Sequence, residues 1–247
     1  MTPPDQQRGR ITPAMEDYLK AIYTLQQQGE VTTSSLGERL GGIKPGSVTG
    51  MVKKLAQLNL VEYMPYQGVR LTASGERIAL EVIRHHRLLE LYLVEALGYS
   101  WDEVHEEAEA LEHYISQKFA ARIAAHLGQP TVDPHGDPIP TSEGKLPDRV
   151  EVGLTSLAVG ARAQVTRVCD QSAERLRYLA TLGLVPGVAI QVVGIAPFEG
   201  PISVRIGDTL HVLDQRLART IFVVTERPDG SEGREGSAAS LQTSGEG

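Results

Sequence analysis

Apolar side chains recur at helical spacing through the first 60 residues. In PAMEDYLKAIYTLQQQ (13–28), Met15, Tyr18, Leu19, Ile22 and Leu25 fall three or four apart, which predicts a helix with one buried face. Pro13 suits its first turn and Gly29 its end. Thr32 or Thr33 can cap a second, short helix running through Leu40, with Leu36 and Leu40 inward, and GGIKPGS then forces a turn. A third helix is predicted over 45–59, burying Val48, Met51, Val52 and Leu55. The runs LVEYMPY and VRLT around Gln67 and Gly68 predict a small hairpin, its first strand short or at an edge because of Pro65.

Residues 74–97 (SGERIALEVIRHHRLLELYLVEAL) predict a long helix, and a second long helix is predicted over 101–127. Their apolar faces are wide enough to serve both a core and a partner, which points to a homodimer. Residues 128–153 carry five prolines and read as a linker. Beyond them the pattern changes. ARAQVTRV, VAIQVVGI, PISVRIG and TLHVL are strand-like runs punctuated by glycines, with one short helix at 172–182, and predict a small β-barrel. The segment 227–247 is rich in Gly, Ser and Glu and reads as a disordered tail.

The order helix, short helix, turn, helix, hairpin is that of a winged helix-turn-helix. Its third helix, predicted to lie in a major groove, would expose Ser47, Thr49, Lys53 and Lys54, with Lys44 just ahead of it. The lysines suit phosphate, whereas Ser47 and Thr49 can reach bases or phosphate. Tyr66, Gln67 and Arg70 would form the wing beside the backbone. Charge agrees: residues 1–75 hold eight Lys/Arg against six Asp/Glu, and the remainder of this chain of net charge −7 holds the acidic excess. The expected partner is therefore double-stranded DNA.

Composition narrows the remaining choices. With 41% apolar and 22% charged residues among 247, a packed core is attainable. No apolar run reaches the roughly 18 residues that span a membrane, and MTPPDQQRGR has no signal-peptide core, so a cytoplasmic location is expected. The single cysteine, Cys169, excludes an internal disulfide and a zinc site built from several cysteines, and reads best as a buried structural thiol.

The densest chemistry lies in HEEAEALEH (105–113). His105, Glu109, Glu112 and His113 sit at offsets that share one helical face. Two imidazoles and two carboxylates on an inward face need charge compensation, which a divalent cation provides. His86 and Glu90 repeat the pattern at i and i+4, and Asp17, next to Glu16, adds a carboxylate from the first helix. Oxygen and imidazole donors without sulfur suit Mn(II) or Fe(II), with Co(II) and Zn(II) able to substitute. A solvated helix face is the plainer alternative. A metallohydrolase is the rival activity, but no HExxH motif is present, so neither an enzyme nor a small-molecule substrate is expected. In DPHGDPIP, His135 reads as part of a turn held by Pro134 and Gly136 rather than as a ligand.

The stretches AMEDYLKAIYTL, SVTGMVKKLAQLNLVEYMPYQGVRLTASG, RHHRLLELYL, HEEAEALEH and DPHGDPIP resemble the diphtheria toxin repressor family of metal-dependent transcriptional regulators, in particular its manganese-responsive branch. The C-terminal LGLVPGVAIQVVGIAPFEGPISVRIGDTLHVL resembles the SH3-like domain of ferrous iron transport protein A. The resemblance implies a primary metal site of Asp17, Glu109, Glu112 and His113 and an ancillary site of His86, Glu90 and His105. It further implies ancillary ligands from the SH3-like domain, for which Asp170, Gln171 and Glu174 are the candidates. Iron-sensing relatives carry Met and Cys where this chain has Asp17 and Glu109. The best-known manganese-type relative carries Glu where this chain has Lys20, which argues against its closely spaced binuclear site. The implied function is Mn(II)-activated repression of metal-uptake genes, with Fe(II) sensing as the alternative.

The expected architecture is mainly α with a small β domain. It comprises a winged helix-turn-helix (1–72), a helical metal-binding and dimerisation domain (73–140), a linker (141–153), an SH3-like β-barrel (154–226) and the tail.

Overall fold

The computed structural model describes residues 11–64, 68–170 and 172–225. The candidates Tyr66, Gln67 and Gln171, and the segment 227–247, lie outside them.

The N-terminal unit follows the predicted order. Helices α1 (Pro13–Gln26), α2 (Thr33–Arg39) and α3 (Pro45–Gln57) are followed by the antiparallel hairpin β1 (Val61–Met64) and β2 (Gly68–Leu71). Thr32 caps α2 through a reciprocal capping box with Ser35. Met15, Leu19, Ile22, Leu36, Val48, Val52 and Leu55 form one fully buried cluster, so the predicted apolar faces do meet. Val69 N–H donates to the Val31 carbonyl, tying the wing to the α1–α2 connection.

Helix α4 (Ala73–Leu97) leaves the wing directly. A Cβ at Gly75 would lie 2.0 Å from the Leu60 carbonyl oxygen, so the first turn of α4 can approach the winged unit only with glycine there. This close seat fixes the long helix against the DNA-binding unit.

The continuous helix predicted over 101–127 is instead two. Helix α5 (Val104–Leu111) and α6 (Gln117–His126) are separated by a turn at 112–114, and the Ser116 side chain caps α6 by accepting from Phe119 N–H. The break places Glu112 and His113 at the end of α5 rather than mid-helix. Nor is 128–153 a linker throughout. Asp133, His135 and Ile139 are buried, and the Pro138 and Pro140 carbonyls accept from Arg87 and Arg84 of α4.

The C-terminal domain is a six-stranded antiparallel sheet in the order β3-β8-β4-β5-β6-β7. Its strands are β3 (Val152–Gly153), β4 (Arg162–Val168), β5 (Ala189–Ile195), β6 (Ile202–Ile206), β7 (Thr209–Leu213) and β8 (Ile221–Thr225). Helices α7 (Ala173–Thr181) and α8 (Gln215–Ala218) complete it. Bulges in β4 and β5 bend the sheet, and Val165, Leu176, Leu179, Ile190, Val204, Leu213 and Val223 share one core. Trp101, from the helical domain, packs against the same core.

Candidate metal centre

Helices α1, α4 and the end of α5 converge on a cluster of carboxylates and imidazoles. Four groups of donors each bring their ligand atoms within 4.8 Å of one another: Asp17, Glu112 and His113; His86, Glu109 and Glu112; His86, Glu90 and His105; and Glu90, Asp133 and His135. All seven helical candidates are therefore brought together. Glu112 belongs to two groups and is completely buried.

The polar contacts show how so much charge is held. His113 donates from Nδ1 to Glu16 at 2.6 Å and pairs through Nε2 with Asp17 at 2.9 Å. These contacts join α5 to the DNA-binding unit. Burial lowers the His113 pKa, but Asp17, Glu16 and Glu112 outweigh it and hold the group at about 10. His86, deeply buried, sits between Glu112 on Nδ1 (2.5 Å) and Glu90 on Nε2 (2.9 Å). Burial opposes its charged form as well, yet the two carboxylates raise its pKa. Against the same burial penalty, His86, His105 and His135 bring Glu90 well below the usual carboxylate range. Lys20 Nζ lies 2.8 Å from Glu109 Oε1 and 2.9 Å from both Glu112 oxygens.

The fourth group is absent from the sequence-based expectation. The turn in DPHGDPIP is present: the Asp133 carboxylate accepts from His135 and Asp137 N–H, and Gly136 has φ +85°. That turn also carries His135 Nδ1 to 3.8 Å from Glu90 Oε2, while His135 Nε2 meets the Trp101 carbonyl at 2.7 Å. Burial lowers the His135 pKa, and Glu90 and Asp133 reverse the shift and hold it at about 9. Burial and the charge of Glu90 push Asp133 up to about 7.

The SH3-like domain docks on this loop. Val168 N–H donates to the His135 carbonyl, Arg167 pairs with Asp137 at 3.4 Å, and Arg177 pairs with Asp102 at 3.2 Å. Of the domain's own candidates, the described Asp170 and Glu174 belong to none of these four donor groups. The Asp170 carboxylate is taken by Ser172 N–H and Arg175, and Glu174 is exposed on α7. Beside Glu90 stand Asp133 and His135. Cys169 is exposed rather than buried: it follows β4 at the domain surface, and burial of its neighbourhood still raises its pKa.

On the winged unit, Lys44, Ser47, Lys53, Lys54 and Arg70 are all exposed. Thr49 is half-buried, and its hydroxyl donates to the Pro45 carbonyl of its own helix. No side chain caps the N-terminus of α3, which leaves its first N–H groups open to a phosphate. Among the described residues, no helix is long and apolar enough to cross a membrane.

A winged helix wired by one helix to clustered nitrogen and oxygen donors defines a metal-responsive DNA-binding regulator. Comparisons with known proteins agree domain by domain. Residues 10–69 match the iron-dependent repressor N-terminal DNA-binding domain, 72–141 its metal-binding and dimerisation domain, and 152–225 the FeoA domain. The iron-dependent repressor IdeR of Mycobacterium tuberculosis is 31% identical over 190 residues, covering 72% of this chain and 82% of that protein. The regulator MntR of Geobacillus kaustophilus is 36% identical over 113 residues, 45% of this chain and 79% of that protein. A solved manganese-dependent transcriptional repressor in complex with manganese superposes with a TM-score of 0.80 at 41% identity, covering 86% of this chain and all of that one. The chain belongs to the iron-dependent (diphtheria toxin) repressor family of metal-dependent transcriptional regulators, which are not enzymes.

Proposed function

We propose that this chain is a Mn(II)-activated repressor of metal-uptake genes, acting in the cytoplasm as a homodimer on a two-fold DNA operator. The observation that carries this reading is the convergence of Asp17, from a helix of the DNA-binding unit, with Glu112 and His113 at the end of α5. The donors fit a divalent cation: oxygen and imidazole, no sulfur, and ligand atoms already close enough to share one ion. A bound dication supplies the positive charge that offsets these carboxylates. Asp17 and His113 then fix α1 against α5, and α3 inherits a defined position. Fe(II) fits the same donors, and the mycobacterial relative matched over 190 residues is named for iron, so Fe(II) sensing is the second reading. Co(II) and Zn(II) would occupy the site in vitro. Exposed Leu97, Leu111, Tyr114 and Phe119 offer the helical domain an apolar surface for a second copy.

Fluorescence anisotropy of metal-stripped protein with DNA upstream of metal-uptake genes tests this at fixed salt. Specific binding should appear with Mn(II) and exceed that with scrambled DNA. Equally tight specific binding without any metal would overturn the switch. In the same assay, Lys53→Ala should weaken all sequences alike and reduce the salt slope by about 1.

The His113 pKa fixes a pH dependence. Without metal, its ion pairs add stability that is complete below about pH 6.5 and is lost as pH rises through about 10. Ligation needs the neutral imidazole, so metal bound there at pH 7.5 should release about one proton, and affinity should rise with pH. Titration calorimetry in two buffers of different ionisation enthalpy measures that release, and His113→Gln should abolish it.

A further inference from the structure

A row of side chains crosses the outer face of the SH3-like sheet, away from the metal centre. Arg162 on β4 pairs with Gln191 on β5, Gln191 with Arg205 on β6, and Arg205 with Leu210 on β7. Their neighbours Ala163, Ile190, Val192 and Val204 are buried, so the row points away from the core. Arg162, Arg205 and Leu210 are exposed, and among the described residues neither arginine forms an ion pair. Adjacent strands lie about 4.8 Å apart, so the two arginine positions, two strands apart, are separated by about 9.6 Å.

The chain leaves the sheet at one end of this row. Thr225 of β8 pairs with Ala163, and that register carried one residue further leads out beside Arg162. The sequence that follows, ERPDGSEGREGS (226–237), is four triplets that each begin with an acid: Glu226, Asp229, Glu232 and Glu235. A period of three is that of an extended polyproline II chain, in which every third side chain returns to the same face after about 9.3 Å. That repeat matches two sheet spacings. Pro228 suits the conformation, and Gly230, Gly233 and Gly236 add no side chain to hold the backbone off the sheet. Charge agrees, since residues 152–225 hold seven Arg against five Asp/Glu, and 226–247 hold five Asp/Glu against two Arg.

We propose that residues 226–237 dock on the outer face of their own SH3-like domain, crossing the strands from β4 toward β7 with successive acids on Arg162 and Arg205. Exposed ion pairs are individually weak and screened by salt. The segment is tethered beside its first arginine, which keeps its effective concentration high. Docked, it neutralises an arginine row on a domain of net positive charge and keeps that face off nucleic-acid phosphates, leaving DNA to the winged unit. The proposal does not depend on which metal the helical centre holds.

The test places a nitroxide on Ser231→Cys in a full-length Cys169→Ser chain and reads backbone amide intensities by nuclear magnetic resonance. The isotope-labelled chain is diluted with excess unlabelled wild type, so any contact lies within one chain. The amides of Arg162, Gln191 and Arg205 should lose most of their intensity, and those of the winged unit should keep theirs. The loss should disappear in 1 M salt, where the Debye length is about 3 Å. It should also disappear in Arg162→Gln/Arg205→Gln and, independently, in Asp229→Asn/Glu232→Gln/Glu235→Gln, each checked by thermal melting. Full intensity at these amides in the labelled parent would overturn the proposal, as would a loss that survives both charge variants. Amides that keep their intensity but shift when duplex DNA of random sequence is added would assign the row to nucleic acid instead, which also overturns it.

Discussion

Glu112→Gln should abolish the metal response of operator binding while leaving the winged helix able to bind DNA weakly. Glu112 is the one carboxylate shared by the Asp17–His113 group and the His86–Glu109 group, and it is fully buried. The amide keeps the shape but loses the charge that faces His86, His113 and Lys20. Allosteric couplings are typically about 5–150-fold in affinity, and the whole of that gain should disappear here. Anisotropy with and without Mn(II) reads it directly. Glu112→Ala should in addition destabilise the chelated protein by about 3–5 kcal/mol, because it strands buried positive groups. Thermal melting checks this. Glu109→Gln is the contrast. The Glu109 side chain is 46% exposed and meets Lys20 at the solvent edge, so its stability cost should be under about 1 kcal/mol. A metal response that survives Glu112→Gln intact would exclude Glu112 as a donor.

Gly136→Ala should detach the SH3-like domain from the helical body. Gly136 has φ +85°, and a Cβ there would stand 2.0 Å from the Thr166 carbonyl oxygen and 2.9 Å from Arg167 Cα. Both obstacles are backbone, so β4 must move away. The Val168-to-His135 hydrogen bond and the Arg167–Asp137 pair would go with it. Left-handed strain of about 1–2 kcal/mol adds to an overpacking cost of about 1–3 kcal/mol. Limited proteolysis should then cut between the domains much faster than in wild type. Gly160→Ala separates strain from collision, since Gly160 has φ +90° and a Cβ there would meet nothing within 4 Å. It should cost only the backbone strain and leave the domains docked. Unchanged proteolysis of Gly136→Ala would mean that this contact does not hold the domain.

How far these features are legible in the sequence differs from element to element. The faces of α1 and α3 are written in their own periodicity, so Leu19, Ile22, Val48 and Val52 are found without tertiary information. The helical donors are similarly legible, because His86 with Glu90, and His105 with Glu109, Glu112 and His113, obey helix spacing even where α5 ends. The end of α5 is less so. Apolar periodicity runs on from 104 through 126, and only the Ser116 cap interrupts it. Asp133 and His135 are hidden for a different reason. Their local sequence encodes a turn, and the turn is real. Its burial is decided by Arg84 and Arg87 on α4 and by β4, which are remote in sequence. Asp170 shows the converse: a loop carboxylate of suitable type is consumed by its own neighbours, Ser172 and Arg175.

The docking loop also gives the protein an optical handle. Trp101 is the only tryptophan in the chain, and its ring stacks on His135 with centroids 5.5 Å apart and planes 29° apart. The same side chain packs against the SH3-like core. All indole emission therefore originates at the seam between two domains, beside an imidazole that is cationic up to about pH 9. Loss of that proton, to alkali or to a metal ion at Glu90 and Asp133, changes the charge over the indole face. Separation of the domains changes its polarity. The unlabelled protein thus carries a single fluorophore at the point where charge and domain contact meet.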